Sequence, residues 1–168
     1  KSKLGEGTEF VVRLTFPKAA GPVQAPPELL QTPYSLKGKK ILLCEDNEMN
    51  REIASAILVK NGLTVLPAEN GQTGVERFLK SGRGEISAIL MDIRMPVMDG
   101  FEATRAIRAS AHPDAKTVPI IALSADAYLA DIQKAHDYGM TSHLSKPIDP
   151  ALLLRTLQRD IQDRPDES

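Results

Sequence analysis

Four apolar segments of this chain each end in polar residues and a turn, and this recurrence limits the fold more than any other feature. In the clearest case the run 89–91 ends in Asp92, and a turn that contains Pro96 follows at once. The same pattern occurs at Glu45-Asp46, at Ser124 and at Ser145-Lys146-Pro147. Because ligands bind at the carboxyl ends of strands in open α/β sheets, we expect these polar side chains to meet at one edge of a sheet.

Between residues 38 and 163, apolar runs alternate with segments of helical periodicity. Strands are predicted at 41–44, 63–68, 86–91, 118–123 and 141–144. Helices are predicted at 48–60, at 71–80, after Asp99, at 127–137 and from Asp149-Pro150 onward. This alternation indicates α/β architecture with a parallel sheet covered on both faces. Because the first and third strands end in acids, we place them side by side, in the flavodoxin-like (βα)5 doubly wound fold with strand order 2-1-3-4-5.

The helical periodicity also predicts which side chains face the core. In the first two helices these are Ile53, Ile57, Leu58, Val75, Phe78 and Leu79, and in the last they are Leu153, Leu157 and Ile161. The predicted N-caps are Asn70, Asp99 and Asp149. Cys44 lies within an apolar run, so we expect a buried thiol in a reducing compartment, with a pKa raised by the neighbouring acids.

The sequence outside the alternating region is different. Residues 1–16 hold a strand signal at 9–16, and a lone strand belongs with other strands of a larger domain. Residues 17–37 are rich in proline, which favours an extended linker. Residues 38–163 form the predicted compact domain, and 164–168 a polar tail. Because the chain begins without methionine, we expect it to be part of a longer protein.

The predicted sheet edge carries three carboxylates, from Glu45, Asp46 and Asp92. Their mutual repulsion would raise their pKa values, and a hard divalent cation with oxygen ligands removes that repulsion. Mg²⁺ fits best, because proteins hold it by one or two carboxylates beside phosphate. No histidine or cysteine stands at a zinc-ligand spacing to compete for the metal.

Lys146 would complete the charge balance, because the cation and the lysine together offset the three acids. A phosphoryl group in this site would meet the metal, the ammonium and the Ser124 hydroxyl, which are the parts that phosphoryl transfer requires. Asp92 is the candidate nucleophile, since aspartyl carboxylates form acyl phosphates. Each residue alone has a simpler explanation, an acid or Ser124 as a helix cap and Lys146 as a solvated surface lysine. Their occurrence together favours the phosphoryl site.

The composition argues against other classes of protein. The net charge is −1, whereas a nucleic-acid-binding module usually has a basic bias. No apolar run approaches the length that spans a bilayer, and the amino terminus lacks the pattern of a secretory signal. We therefore expect contact with neither nucleic acid nor membrane.

Residues 39–161 resemble the receiver domain of two-component response regulators, through segments 42–47, 91–100, 121–126 and 144–147. The resemblance implies a role for each site residue: phosphorylation at Asp92, Mg²⁺ binding by Glu45, Asp46, Asp92 and the main-chain carbonyl of Arg94, a switch hydroxyl at Ser124, and a phosphoryl contact from Lys146. It also implies a cis peptide bond before Pro147.

One position departs from the family pattern. The switch aromatic of the family stands three residues before the lysine, where this chain has His143. Histidine titrates near neutral pH, so burial of the ring would disfavour its charged form. Two interpretations stay open: a switch residue that alternates between rotamers, and an exposed residue without such a role.

Residues 2–17 resemble the last glycine box and final strand of a histidine-kinase ATP-binding domain. The two resemblances together imply a hybrid sensor kinase. The implied function is that of a phosphoacceptor: a phosphohistidine of the same parent chain passes its phosphoryl group to Asp92, and a histidine phosphotransfer protein receives it next. The implied location is the cytoplasm, with or without a membrane anchor elsewhere in the parent kinase.

Two other functions remain as alternatives. A Mg²⁺-dependent phosphatase with an aspartyl-phosphate intermediate usually has a second acid two residues after the nucleophile, where this chain has Arg94. Turnover of an external substrate is therefore disfavoured. A degenerate receiver that acts only as a binding module is disfavoured too, because all five polar site residues are present.

Overall fold

The computed structural model describes four stretches of the chain: residues 2–3, 7–8, 35–125 and 129–164. The chain divides into two compact units, Lys1–Pro33 and Tyr34–Ser168. Within the first unit, residues 2–3 pair with residues 7–8 in a short antiparallel ladder. The strand predicted at 9–16, and all but the last three residues of the predicted linker, lie outside the described residues.

The second unit alternates strands with helices. The strands are β1 (Lys40–Cys44), β2 (Thr64–Ala68), β3 (Ala88–Asp92), β4 (Ile120–Ser124) and β5 (Ser142–Ser145). The helices are α1 (Glu48–Lys60), α2 (Gly71–Leu79), α3 (Gly100–Ala109), α4 (Leu129–Asp137) and α5 (Pro150–Gln162). The predicted βα units are therefore present, with ends that differ from the predicted ones by about two residues at most.

The five strands form one parallel sheet in the order β2-β1-β3-β4-β5, which confirms the predicted 2-1-3-4-5 order. Cys44 at the end of β1 pairs with Met91 in β3, and Ser124 at the end of β4 pairs with Ser145 in β5. The strands therefore end level with one another. The residues that follow them emerge at the same edge of the sheet, as the sequence pattern predicts.

Alternate side chains of the sheet enter two hydrophobic cores, one on each face. The core that includes residues of α2, α3 and α4 contains Leu42, Cys44, Ile89, Met91, Ile120 and Ala122 from the strands. The core that includes residues of α1 and α5 contains Ile41, Leu43, Ala88, Leu90, Ile121 and Leu123. Burial on both faces explains why the central strands read as continuous apolar runs rather than alternating ones.

For two residues the prediction of a buried side chain is wrong. Ile53 is 53% exposed, and Leu79 is 46% exposed. Ile53 directly precedes the buried Ala54, and Leu79 directly follows the buried Phe78. Successive side chains of a helix point about 100° apart, so the neighbour of a buried residue can face solvent. The predicted stripe of α5, formed by Leu153, Leu157 and Ile161, is confirmed, because all three residues are buried.

Side-chain caps begin the helices where the sequence predicts them. The side chains of Asn70, Asp99 and Asp149 each accept a hydrogen bond from the main-chain N–H three residues later. Asp99 also forms a capping box, in which the side chain of Glu102 accepts from the Asp99 N–H. Asn47 caps α1 in the same way. These caps fix where α1, α2, α3 and α5 leave the carboxyl edge of the sheet.

Candidate functional site

The acidic residues after β1 meet the end of β3 at the carboxyl edge of the sheet. Because β1 and β3 are neighbours, Glu45 and Asp46 lie beside Asp92. One carboxylate oxygen from each of the three lies within 4.8 Å of those of the other two. Lys146, which directly follows β5, reaches the same group. Four of the residues predicted from the sequence are therefore brought together.

A single ammonium bridges two buried carboxylates at this edge. Nζ of Lys146 lies 2.6 Å from Oδ2 of Asp92 and 2.6 Å from Oε2 of Glu45. Asp92 is 5% exposed and Glu45 is 1% exposed. The other oxygen of Asp92 accepts a hydrogen bond of 3.1 Å from the main-chain N–H of Arg94. Both oxygens of Asp92 are thus oriented by donors, and the lysine offsets part of the repulsion between the two acids.

Burial raises the pKa of Asp92, and the hydrogen bond and charge of Lys146 offset part of that increase. The N–H of Arg94 also lowers this pKa, while the charge of Glu45 raises it. For Lys146, burial alone would lower the pKa, but the two carboxylates outweigh burial and the net pKa is raised. The lysine therefore stays charged beside an acid that holds its proton more tightly than an ordinary aspartate.

The three acids fit the predicted divalent cation. Among residues 35–125 and 129–164, Glu45, Asp46 and Asp92 are the one group of acids, histidines or cysteines close enough to share a metal. Three carboxylates and one ammonium leave excess negative charge, which a divalent cation would neutralise. The donors are all oxygens, which suits Mg²⁺, and the exposed Asp46 lets a hydrated ion approach. The carbonyl of Arg94 stays a predicted ligand.

The hydroxyl of Ser124, the predicted switch group, has a specific partner in the neighbouring strand. Oγ of Ser124 lies 2.6 Å from Nε2 of His143, which is half-buried in β5. The contact arises because β4 and β5 are adjacent and Ala122 pairs with His143. His143 is therefore in contact with the predicted site, although its role as a switch stays a prediction. The peptide bond between Lys146 and Pro147 is cis, as the resemblance implies.

An open cleft lies next to Ser124 on the side of α3 and α4. It has a volume of about 230 Å³, and Arg94, Phe101 and Lys134 contribute to its walls. Nζ of Lys134 lies 4.4 Å from the centre of the Phe101 ring, within the range of a cation–π contact. The cleft therefore borders the Ser124 side of the site.

Two residues contact the acids in a way that the sequence pattern does not predict. Asn50 and Arg51, in the first turn of α1, donate hydrogen bonds back to the loop that carries Glu45 and Asp46. The run 47–51 is polar, but its spacing does not show that two of its side chains turn back to the preceding loop. Only the geometry of the turn between β1 and α1 reveals this contact.

The sequence pattern also does not predict that the site requires a glycine at position 100. A Cβ atom at this position would lie 2.3 Å from the carbonyl oxygen of Asp92. The absence of a side chain lets α3 begin directly against the main chain of the candidate nucleophile. A glycine after an aspartate reads as a turn in the sequence, so this close approach has no separate sequence signal.

Cys44 plays no part in the chemistry of the edge. The thiol is fully buried, and burial raises its pKa to about 12. The predicted direction is confirmed, but the predicted cause is not, because the shift comes from burial rather than from the neighbouring acids. A thiol with this pKa stays protonated and unreactive near neutral pH.

No helix in the described part of the chain is both long enough and apolar enough to cross a bilayer.

Comparison with known proteins places the chain in one family. The model of the response regulator receiver domain matches residues 41–158. "Hybrid signal transduction histidine kinase I" of Dictyostelium discoideum is 35% identical over 125 residues, which are 73% of this chain and 7% of that protein. "Two-component response regulator ORR41" of Oryza sativa subsp. japonica is 40% identical over 111 residues, which are 65% of this chain and 84% of that protein. The chain thus spans less than a tenth of the hybrid kinase.

A solved structure gives the same result for the fold. The receiver domain of the sensor histidine kinase PA1611 from Pseudomonas aeruginosa, described with a magnesium ion coordinated in its active site cleft, is 40% identical. The similarity has a TM-score of 0.68 and covers 75% of this chain and 99% of that one. With its strand order, its acidic edge and these matches, the chain belongs to the response regulator receiver domain family.

Proposed function

We propose that this chain is the phosphoacceptor of a two-component phosphorelay and that Asp92 is the residue that becomes phosphorylated. The observation that carries this proposal is the position of Lys146, at 2.6 Å from both Asp92 and Glu45. An ammonium already bound to the nucleophile can receive an oxygen of the incoming phosphoryl group. The excess negative charge of the acids gives a cation a reason to bind before that group arrives.

The proposed step moves a phosphoryl group from a ring nitrogen of a phosphohistidine to a carboxylate oxygen of Asp92. The P–N bond breaks, a P–O bond forms, and the departing imidazole takes up a proton from solvent. Lys146 holds one phosphoryl oxygen, and the hydroxyl of Ser124 turns to donate to another. The low exposure of Asp92 keeps bulk water away from the resulting acyl phosphate.

Mg²⁺ held by Glu45, Asp46, Asp92 and the carbonyl of Arg94 would supply charge neutralisation during this transfer. Two observations support this ion. The three carboxylates lie within reach of a single cation. In addition, the similar receiver of PA1611 carries magnesium in its active site cleft.

The proposed donor and acceptor are histidine-bearing proteins, namely the phosphohistidine domain of a kinase and a histidine phosphotransfer protein. Exposed apolar side chains beside the site support protein partners. Met49 and Ile53, on one face of α1, are 70% and 53% exposed, and Val97, in the loop after β3, is 76% exposed. A protein partner can bury these exposed apolar side chains when it binds, whereas a small phosphodonor is too small to cover them.

We further propose that the parent protein is a hybrid histidine kinase that works in the cytoplasm. Residues 1–16 would be the end of its ATP-binding domain, 17–37 a linker, 38–163 the receiver and 164–168 a polar tail. The support is the similarity to hybrid kinases, together with the resemblance of residues 2–17 to a kinase strand. The phosphohistidine donor would then belong to the same parent chain.

The geometry disfavours the two alternative functions. A phosphatase would need a general acid near the nucleophile, but Arg94 occupies the position two residues after Asp92. A degenerate binding module would have no reason to hold Lys146 between two buried acids. Among the described residues, no contact specifically supports either the phosphatase or the binding module.

Incubation of the chain with phosphoramidate and Mg²⁺ tests the proposal, because the P–N bond of this reagent resembles that of phosphohistidine. Mass spectrometry of the intact chain should show the addition of one phosphoryl group. Asp92→Asn should remove this addition, whereas Asp163→Asn, at the exposed end of α5, should not. Continuous release of phosphate from many esters would instead indicate a phosphatase, and no addition at all would indicate a degenerate receiver.

A further inference from the structure

The first turn of α1 contacts the metal-binding acids at three points. Nη1 of Arg51 donates to the carbonyl oxygen of Glu45 at 2.8 Å and to that of Asp46 at 3.2 Å. Nδ2 of Asn50 donates to Oε1 of Glu45 at 3.2 Å. One turn of helix therefore holds the main chain of both acids and the side chain of one.

These contacts come from a part of the helix that is itself well anchored. Asn47 caps α1, and its side chain accepts from the main-chain N–H of Asn50 at 3.0 Å. The main-chain N–H of Arg51 donates to the Asn47 carbonyl at 2.9 Å. The two donors thus sit on a formed turn, and their positions are set before any ligand binds.

The loop between β1 and α1 needs such support, because it leaves the sheet at this point. The N–H of Glu45 still continues the ladder to β2, by donating to the carbonyl of Ala68 at 3.0 Å. Beyond that residue, the carbonyls of Glu45 and Asp46 are bonded by the guanidinium of Arg51. A charge-assisted donor shared by two successive carbonyls restrains the direction in which both side chains leave the main chain.

We propose that Arg51, assisted by Asn50, is a positioning residue that prearranges Glu45 and Asp46 for a divalent cation. The inference rests on the proposed function, since it concerns the Mg²⁺ of that site. Arg51 has two opposing effects on the ion. Its positive charge repels a cation, whereas its hydrogen bonds remove the cost of ordering the two carboxylates. The proposal states that the ordering effect is the larger one.

Two substitutions at position 51 separate these effects. Arg51→Lys keeps the charge but replaces the planar guanidinium, whose Nη1 reaches both carbonyls, with a shorter side chain that ends in an ammonium. Arg51→Met loses both the charge and the hydrogen bonds. If positioning dominates, both variants bind Mg²⁺ about 10- to 100-fold more weakly, as is typical when a residue that orients metal ligands is removed. Asn50→Ala should weaken binding in the same direction. Arg155→Met, which removes an exposed arginine from α5, is the matched control and should bind as the original chain does.

The measurement is a titration of the metal-free chain with Mg²⁺, followed by calorimetry and by amide chemical shifts. Thermal unfolding without Mg²⁺ is recorded for every variant. Unchanged affinity with a lower melting temperature would reduce Arg51 to a structural role and overturn the proposal. Original affinity for Arg51→Lys with tighter binding by Arg51→Met would overturn it as well, because charge alone would then explain the effect.

The titration needs no phosphoryl transfer, so the two proposals can fail separately. An original chain that binds Mg²⁺ but accepts no phosphoryl group from phosphoramidate would remove the proposed function and leave the role of Arg51 intact. An original chain that does not bind Mg²⁺ would overturn the inference about Arg51 directly.

Discussion

At the residue scale, Asp92 combines burial with a charged partner, and these act on its proton in opposite directions. Burial is the larger effect, so the pKa of the folded protein lies above the ordinary aspartate value. The folded state therefore binds this proton more tightly than the unfolded chain does. The contribution of Asp92 to the free energy of unfolding of the metal-free protein should therefore fall as pH rises from the ordinary value through the raised one.

Asp92→Asn should remove this contribution to the pH dependence. The measurement is urea unfolding of both proteins in EDTA at a series of pH values between acid and neutral. The difference in the free energy of unfolding should grow in favour of the variant as pH rises. A difference that stays constant across this range would show that the pKa of Asp92 is not raised.

The hydrogen bond between Ser124 and His143 predicts a second effect of a single side chain. In the unphosphorylated protein His143 holds the hydroxyl that the phosphoryl group is proposed to use. His143→Phe removes this competing partner, and we expect the equilibrium ratio of phosphorylated to unphosphorylated chain to rise about 2- to 10-fold, which corresponds to the free energy of one hydrogen bond.

A double-mutant cycle tests whether this gain acts through Ser124. In a Ser124→Ala background the substitution of His143 should have no further effect on the phosphorylated fraction. An equal gain in both backgrounds would assign the effect of His143 to some other contact. This pair could not be predicted from the sequence, because the distance between two side chains on neighbouring strands depends on the strand register.

At the element scale, the packing of α2 on β1 depends on one missing side chain. A Cβ atom at Gly74 would lie 2.5 Å from Sγ of Cys44. Gly74→Ala would gain about 1 kcal/mol of helix propensity but lose about 1–3 kcal/mol to overpacking. We expect the net result to be a loss of up to about 2 kcal/mol in the free energy of unfolding, measured in urea.

Cys44→Ala offers a direct test of that cause. In its background, Gly74→Ala should be neutral or stabilising, because the nearest remaining atom of residue 44 would be its Cβ at 3.8 Å. Gly100→Ala is the matched comparison, since its clash is with a main-chain oxygen that no side-chain change removes. Failure of Cys44→Ala to rescue Gly74→Ala would place the strain elsewhere.

The elements themselves were largely predictable because short-range signals specify them. Helix starts carry capping side chains such as Asn70 and Asp149, whose role depends only on residues a few positions away. Which individual side chains face the core was less predictable. Apolar spacing in α1 suits Ile53 as well as Ala54, and only the position of the helix over the sheet decides between them. The acidic edge was predictable because the acids directly follow two apolar runs, whereas its supports at Asn50 and Arg51 required the loop geometry.

At the scale of the whole molecule, the excess negative charge of the edge should make stability depend on the metal. A ligand that binds only the folded state, at ten times its Kd, adds about 1.4 kcal/mol to the free energy of unfolding. For a chain of 168 residues we expect Mg²⁺ to raise the melting temperature by about 3–6 °C.

This shift should require the acidic edge. Asp46→Asn should reduce it strongly, and Glu85→Gln, which removes an exposed acid bound to Lys40, should leave it unchanged. Differential scanning calorimetry with Mg²⁺ and with EDTA measures the effect. An equal shift in both variants would mean that the ion binds outside the predicted site.

The sealed position of Cys44 has a practical consequence for spectroscopy. It is the only cysteine of the chain, and its thiol is shielded from labelling reagents in the native state. Val97→Cys would introduce one accessible thiol in the loop that follows the candidate nucleophile. A dye attached there would report on that loop alone, without prior removal of the natural cysteine.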